Sequence, residues 1–599
     1  MKSARNGLMA GLILMTAACG GAPERTDAER TARDRTDSSD TASEAAEPQA
    51  GAATARAIRE RTRALSEATV DAALADYYAA HDHAPAWLDA EGRPREAVEA
   101  LLAAVARADR QGLIAADYRA DALARRAEAA RTDPETLSAA DRAALDIALS
   151  RVFVQYAADL HEGRVETGDL RPRWYEDLPP ADYVGALEHA AVNGNVDAAL
   201  SELRPPHDGY TRLVKALADY RAIADDGGWP TLPEGPLLEP GVRDARVNTL
   251  RERLRLTGDL PSGDNTAPAP DDDSPTAAST DTATEAETRA PRYDDALAAA
   301  VERFQRRHGL AVDGRVGEQT LAALNVPATR RVRDIEINLE RWRWLPGDLG
   351  ERYIMVNIPE YRLRAFEDGR PALTMKVVVG ETYNDRATPV FSDRMQYVIF
   401  RPYWNVPRGI AAEEIVPEAR AEPGYLEANR YEIVRAFGPN ATPLEPSKER
   451  LTQVEAGELF IRQRAGARNA LGLVKFMFPN EYAVYLHDSP AERLFSRTER
   501  AFSHGCVRVA RPDDLAAFVL DGRPDWDAGR IDDALHEGSR KRVDLAESIP
   551  VYLMYWTAFV TDEGVQFRPD LYEHDRRVDE ALRQAATTVP SSDQAAEAA

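Results

Sequence analysis

Only two of the 599 residues are cysteines, Cys19 and Cys506. So small a supply excludes a disulfide framework if Cys19, at the end of a leader segment, is removed or modified, and it excludes four-cysteine zinc sites outright. Positive charge is also short. Against 100 Asp and Glu stand 75 Lys and Arg, a formal net charge of -25. Phosphate backbones are bound by basic surfaces, so nucleic acid is not an expected partner. Beyond the leader, no run reaches the roughly 18 uninterrupted apolar residues that a membrane-spanning helix needs. Apolar material is nevertheless ample at 44%, and a chain of this length exceeds one core, so two to four domains are expected.

The start of the chain reads as an address. Lys2 and Arg5 precede a short apolar run from Leu8 to Ala18, and the small pair Ala17-Ala18 precedes Cys19. That is a secretory signal over 1–18. A cysteine placed directly after two alanines resembles a bacterial lipobox, in which it is acylated after cleavage, although Thr16 departs from the leucine such boxes prefer. Plain secretion with cleavage near Ala18 is the alternative. Both put the mature chain in the periplasm or cell envelope, and lipidation at Cys19 would anchor it to the outer membrane. Residues 19–66 are then dominated by Ala, Thr, Ser, Asp, Glu and Arg. They have too little apolar surface to offset the entropy of ordering, so the stretch reads as a disordered tether. Residues 261–290 and 585–599 read in the same way.

Between the first two tethers, apolar residues recur at helical spacing. Leu145, Leu149, Val152, Phe153 and Tyr156 share one helix face, and Gly112 suits the C-cap of another helix. A helical scaffold domain is expected over 67–230, with His161 and Glu162 in capping or surface roles. A stripe of Val247, Leu250 and Leu254 precedes the second tether. After it come Ala300, Val301, Phe304, Gln305, Gly309, Leu310, Asp313, Gly314, Gly317, Thr320 and Leu321. Joined across the insertion, these pieces resemble the three-helix peptidoglycan-binding module, expected over 236–327. From Tyr353 the texture changes to β-branched and aromatic runs such as "ALTMKVVVG" and "MQYVIFRPYWNVP", with a hairpin signal at Asp368-Gly369. A mainly-β domain is expected over 350–560, interrupted by a capping insertion of helix and loop at about 408–460. The fold class is therefore multidomain α+β.

A lone thiol in so large a chain is either a buried small hydrophobe or a nucleophile. The neighbours of Cys506 favour the second reading. A thiol attacks as thiolate, and histidine is its usual proton acceptor. His504 lies two positions before Cys506, and His487 ends the strand-like run Tyr482 to Leu486. Gly505 removes side-chain bulk beside the sulfur and lets backbone N–H groups approach a developing oxyanion. Together these residues describe a cysteine–histidine acyl-transfer site. Spacing does not decide which imidazole touches the sulfur.

The run Ser503-His504-Gly505-Cys506-Val507-Arg508, with His487 upstream, closely resembles the catalytic signature of L,D-transpeptidases, [S/T]-H-G-C-x-[R/N]. "RPYWNVP" at Arg401 to Pro407, "ARNALGLVKFMFPN" and "VYLHDSPAERLF" resemble the large Gram-negative, YcbB-like branch, as does the order of scaffold, peptidoglycan-binding and catalytic domains. The resemblance implies that Cys506 forms a thioester with a peptidoglycan tetrapeptide stem and releases D-alanine. The side-chain amine of a second stem then attacks, giving a 3→3 meso-diaminopimelate cross-link. It implies His487 as general base and then acid, His504 as support for oxyanion and substrate, and the N–H groups of Gly505 and Cys506 as oxyanion donors. Ser503 belongs to the same catalytic run. Arg508 either binds a stem carboxylate or braces the loop. Tyr403, Trp404, Asn405, Arg462, Asn469 and Tyr485 are the expected substrate-cleft residues. The implied partners are the donor stem and the acceptor amine, with no cofactor and no metal. Hydrolysis by an L,D-carboxypeptidase and attachment of a lipoprotein to the wall share the acyl-enzyme and compete with cross-linking. A non-catalytic wall-binding scaffold is the remaining alternative.

Overall fold

In the computed structural model the described residues are 47–165, 170, 172–174, 178, 180–261, 290–382, 386–438 and 440–587. The expected signal, Cys19, nearly all of the insertion 261–290 and most of the tail 585–599 lie outside them.

The helical part begins earlier than composition implies. Glu47–Thr62 form a helix whose Ile58 is fully buried, with Thr54 and Thr62 nearly so. It packs on the long helix Ala139–His161. The tether expected over 19–66 is therefore corrected from Glu47 onward. The Ala, Arg and Glu that resemble a linker are also strong helix formers, and the small residues let Ile58 enter the scaffold core. Leu149 and Phe153 of Ala139–His161 lie at the centre of that core. Asp146 of the same helix is fully buried. It accepts the N–H groups of Ala86, Trp87 and Leu88 at 2.9, 2.9 and 3.2 Å and the Tyr78 hydroxyl at 2.6 Å. A carboxylate survives burial only when its lone pairs are filled in this way. The acid thereby ties the 86–88 turn to the central helix.

Helices Arg246–Leu256, Asp295–Arg307 and Glu318–Leu324 enclose a second core containing Val247, Leu250, Leu254, Val301 and Phe304. Gln305 organises the turn that follows it. Its amide donates to Asp313 Oδ1 at 2.8 Å, and its carbonyl accepts the N–H groups of Asp313 and Gly314 at 3.0 Å each.

The C-terminal part is mainly β. Its strands are β1 (Arg352–Asn357), β2 (Arg362–Glu367), β3 (Arg370–Gly380), β4 (Phe391–Phe400), β5 (Trp404–Asn405), β6 (Tyr431–Val434) and β7 (Phe460–Gln463). They continue with β8 (Val474–Met477), β9 (Leu486–His487), β10 (Ala501–Ser503), β11 (Val507–Val509), β12 (Lys541–Met554), β13 (Ala558–Thr561) and β14 (Gly564–Phe567). Asp368 and Gly369 both have positive φ, 49° and 72°, and make the expected hairpin between β2 and β3. Nine strands form one sheet in the order β10-β3-β11-β9-β8-β4-β12-β1-β2, and β2 also pairs with β3, so the sheet closes on itself. Val356, Val377, Phe400, Phe476, Leu486, Val507 and Val551 belong to its core. Helix Pro512–Leu520 adds Leu515 and Leu520, and its proline stands in the first turn, where no N–H is needed.

The opposite side of β1 and β12 rests on helices. Met355, Tyr552, Met554 and Trp556 pack against Leu213 and Leu217 of Asp208–Asp225 and Ile335, Leu339 and Trp342 of Ala328–Arg343. The β13–β14 hairpin begins at Ala558 and runs past the expected domain end at 560; it and helix His574–Thr587 pack back on Ala328–Arg343. The capping insertion is a small unit of its own. Its sheet β5-β7-β6 and its helices share a core of Val406, Ile415, Val416, Ile433, Leu451 and Ile461.

Candidate active site

The reactive run is a three-residue turn, His504-Gly505-Cys506, between β10 and β11. Both strands pair with β3, β10 in parallel and β11 antiparallel, so β3 holds the two ends of the turn. Ser503 Oγ donates to the Cys506 carbonyl at 2.5 Å and accepts the Gly505 N–H at 3.2 Å. Gly505 has φ +108°, a conformation closed to residues with a Cβ at ordinary cost. Its carbonyl accepts from Thr388 Oγ1 at 2.9 Å, and the same hydroxyl accepts the Gly380 N–H at 2.9 Å. Ser503 and Thr388 are both buried. Ser503→Ala is expected to cost about 1–3 kcal/mol of stability, read by thermal unfolding. Because the sulfur moves with the loop, activity should fall about 10²-fold as well.

Strand register sets what faces the sulfur. On β9 and β11, Leu486 pairs with Val507 and His487 with Arg508. Leu486 and Val507 are fully buried in the sheet core. The pleat therefore sends Tyr485, His487, Cys506 and Arg508 to the opposite face. Lys475 of β8 lies directly across from His487, and its Nζ sits 4.9 Å from the centre of the Tyr485 ring. The Tyr485 and His487 rings meet edge to face at 5.8 Å. Cys506 Sγ is 3.8 Å from the Ala483 carbonyl.

The resting charges follow from this crowding. Burial pushes the Cys506 thiol above its ordinary value, against hydrogen bonds from Tyr485 and the charges of Lys475 and Arg508. Burial, then Arg508, then Lys475 push His487 down to about 3, against its bond to Asp488. Burial, then Arg540, lowers Lys475 to about 8, against Cys506, which raises it. The resting pair near neutrality is thus thiol and neutral imidazole. His487 Nδ1 lies 2.5 Å from the Asp488 carbonyl. A carbonyl only accepts, so Nδ1 carries the proton and Nε2 keeps a free lone pair. Alkylation of Cys506 by iodoacetamide should therefore accelerate with pH through the ordinary thiol value of 9.0. A rate plateau between about pH 5 and 7 would instead reveal a thiolate–imidazolium pair.

Three comparisons bear on this arrangement. Residues 351–525 match the model of the L,D-transpeptidase catalytic domain. The chain carries an L,D-transpeptidase catalytic domain. Residues 72–217 match a scaffold domain, and residues 285–324 match a model described as "Putative peptidoglycan binding domain". A Haemophilus influenzae protein named "Putative L,D-transpeptidase" is 32% identical over 274 residues, which are 45% of this chain and 54% of that protein. The match therefore spans about half of the relative's length. The crystal structure of an L,D-transpeptidase fragment from Xylanimonas cellulosilytica is 17% identical, covering 54% of this chain and 99% of that one at a TM-score of 0.15.

Within the L,D-transpeptidase domain, the structure separates the residues expected at the site. Cys506, His487, Arg508 and Tyr485 share one face. His504 is turned to the cap instead. Its Nε2 bonds Glu414 Oε1 of the cap at 2.8 Å. Arg386 bridges Glu414 at 2.7 Å and Glu381 at 3.1 Å, so the cap and the catalytic loop are latched together. The oxyanion role expected of Gly505 is corrected too, because its N–H is already given to Ser503 Oγ. The Cys506 N–H has no acceptor among the described residues.

Two substrate-cleft expectations are overturned by burial. Arg462 is 3% exposed and spends its guanidinium on Glu432 and the carbonyls of Gly438 and Ala441. Asn469 is fully buried and donates to the carbonyls of Pro402, Gln463 and Arg464. Both fasten the cap internally. Tyr403 lies under the Arg462 guanidinium at 4.5 Å, and Trp404 packs on the cap core. Asn405 is the exposed member of that run, on β5 opposite Arg462. Lys475, Thr388, Glu414 and Arg386 were not foreseen. "LVKFMF" offers a weak signal for Lys475, a lone cation on an apolar strand.

Proposed function

We propose that this protein is a periplasmic L,D-transpeptidase that joins peptidoglycan stems through a thioester on Cys506. The observation that carries the reading is the placement of Cys506, His487 and Arg508 on one face of adjacent strands. The Sγ proton passes to His487 Nε2 while the sulfur attacks the carbonyl carbon between meso-diaminopimelate and the terminal D-alanine. The tetrahedral oxyanion takes the Cys506 N–H, which is otherwise unused. His487 returns the proton to the departing amine, D-alanine leaves, and the thioester remains. The side-chain amine of a second stem then attacks, His487 removes its extra proton, and the thiol is restored as the new amide forms.

Arg508 links binding to chemistry. Its Nε is buried without a hydrogen-bond partner among the described residues, and it is the largest charge depressing His487. A stem carboxylate paired to Arg508 would offset that charge and make His487 a better base when substrate is present. The leader supports an envelope location, and the peptidoglycan-binding module supports a wall substrate. Purified disaccharide tetrapeptide, incubated with the protein and followed by mass spectrometry, should give a cross-linked dimer with loss of D-alanine. Tripeptide alone would point to hydrolysis, and equal turnover by Cys506→Ala would end the proposal.

A further inference from the structure

We infer that the site selects a donor with two free carboxylates, one on each side of the bond to be broken, and that Lys475 binds the second. The inference rests on the reading of the donor as a wall stem and names what in that stem is recognised. Behind it is a row of three basic side chains across adjacent strands. Arg508 of β11 pairs with His487 of β9, and His487 pairs with Lys475 of β8. Residues paired in this way point to one face of the sheet. Strands stand about 4.8 Å apart, so Arg508 and Lys475 start about 10 Å from each other, with His487 between them.

No described acid answers the two outer charges. Neither Lys475 nor Arg508 has a hydrogen bond or ion pair among the described residues. The one acid acting on Arg508, Glu381, is already paired with Arg386 at 3.1 Å. Lys475 is repelled by Arg540, which is exposed and likewise without an ion pair among the described residues, and is attracted only by Cys506. A chain with a net charge of -25 thus keeps uncompensated cations on both sides of its base. Lys475, Cys506 and Arg508 are all partly exposed, so a ligand can reach them. Lys475, lowered by burial to about 8, is still mostly an ammonium at neutral pH.

The proposed donor carries matching anions. Terminal D-alanine has a carboxylate on the leaving side of the scissile carbonyl, and meso-diaminopimelate has a free one on the retained side. The peptide step and the long diaminopimelate side chain let these two groups stand well apart, as the two cations do. Cations that flank one imidazole repel each other in the free protein, and a dianion bound across them removes that cost. Partial burial strengthens each contact, because less water screens it.

The test is calorimetric titration of full-length Cys506→Ala, in which chemistry is stopped, with three disaccharide tetrapeptides. One is unmodified, one ends in D-alaninamide, and one has every retained-side carboxylate amidated. Adding Lys475→Met should weaken the unmodified donor by about ten-fold or more, the scale of one charge-assisted contact. The same variant should bind one of the amidated donors as tightly as its Cys506→Ala parent does, which a misfolded site would not. Adding Arg508→Met should show that pattern with the other amidated donor, and Lys475→Arg should keep the preference for a charged stem. Equal weakening of all three donors by Lys475→Met, no weakening of any, coupling of both cations to one carboxylate, or no binding at millimolar donor would overturn the inference. Release of D-alanine by the unmutated protein is read separately. Turnover without the coupling leaves the proposed function standing and removes this inference, and coupling without turnover does the reverse.

Discussion

Replacing His487 by glutamine should lower D-alanine release by about 10²–10⁴-fold, the usual worth of a positioned general base. The same change at His504 should cost about ten-fold or less, the scale of a partly exposed ion pair. The difference follows from geometry. His487 shares the sulfur's face, holds its Nδ1 proton on the Asp488 carbonyl and keeps Nε2 open. His504 is turned to Glu414, and about a third of its side chain is exposed. Steady-state release of D-alanine by the two variants, measured side by side, checks this. Equal losses, or the larger loss at His504, would reassign the base.

The next largest effect is expected at Arg508. Arg508→Met removes a cation that has no hydrogen bond or ion pair among the described residues. Losing a charged hydrogen bond to a substrate carboxylate costs about 1.5–3 kcal/mol, or roughly 10–100-fold in kcat/KM. A second consequence separates substrate binding from loop bracing. Arg508 lowers the His487 pKa, so its removal must raise it from about 3 toward the ordinary histidine value. The imidazole would then begin to protonate at higher pH than in the parent protein. Proton-detected NMR of the His487 ring across the acid range reads that shift directly. Arg508→Lys should hold the imidazole pKa down while recovering little affinity, because an ammonium lacks the planar fork. A normal kcat/KM in Arg508→Met, or a His487 titration that does not move, would contradict the assignment.

What could be read from the residues alone was mostly local. The turn around Cys506 is built by its own neighbours, Ser503 and Gly505, so six consecutive letters carried it. His487 was accessible because β9 pairs directly with β11. Lys475 was not, because only the antiparallel pairing of β8 with β9 puts it opposite His487. Thr388 and Arg386 come from the loop before β4, and Glu414 comes from the cap; chain order does not reveal those meetings. The overturned expectations have the same origin. Arg462 and Asn469 lie near the catalytic run in sequence, yet their polar groups are consumed by backbone carbonyls inside the cap. Residues 47–62 misled in the other direction, since a segment with one isoleucine looks like a linker until a groove receives that side chain.

The most direct measurement is the intact mass of the protein after brief mixing with a disaccharide tetrapeptide donor and no acceptor. The account predicts a transient adduct equal to the donor minus D-alanine, mapped by peptide sequencing to Cys506 and absent from Cys506→Ala. It should form far more slowly in His487→Gln. Full turnover with no adduct on Cys506, or an adduct that persists in Cys506→Ala, would contradict it.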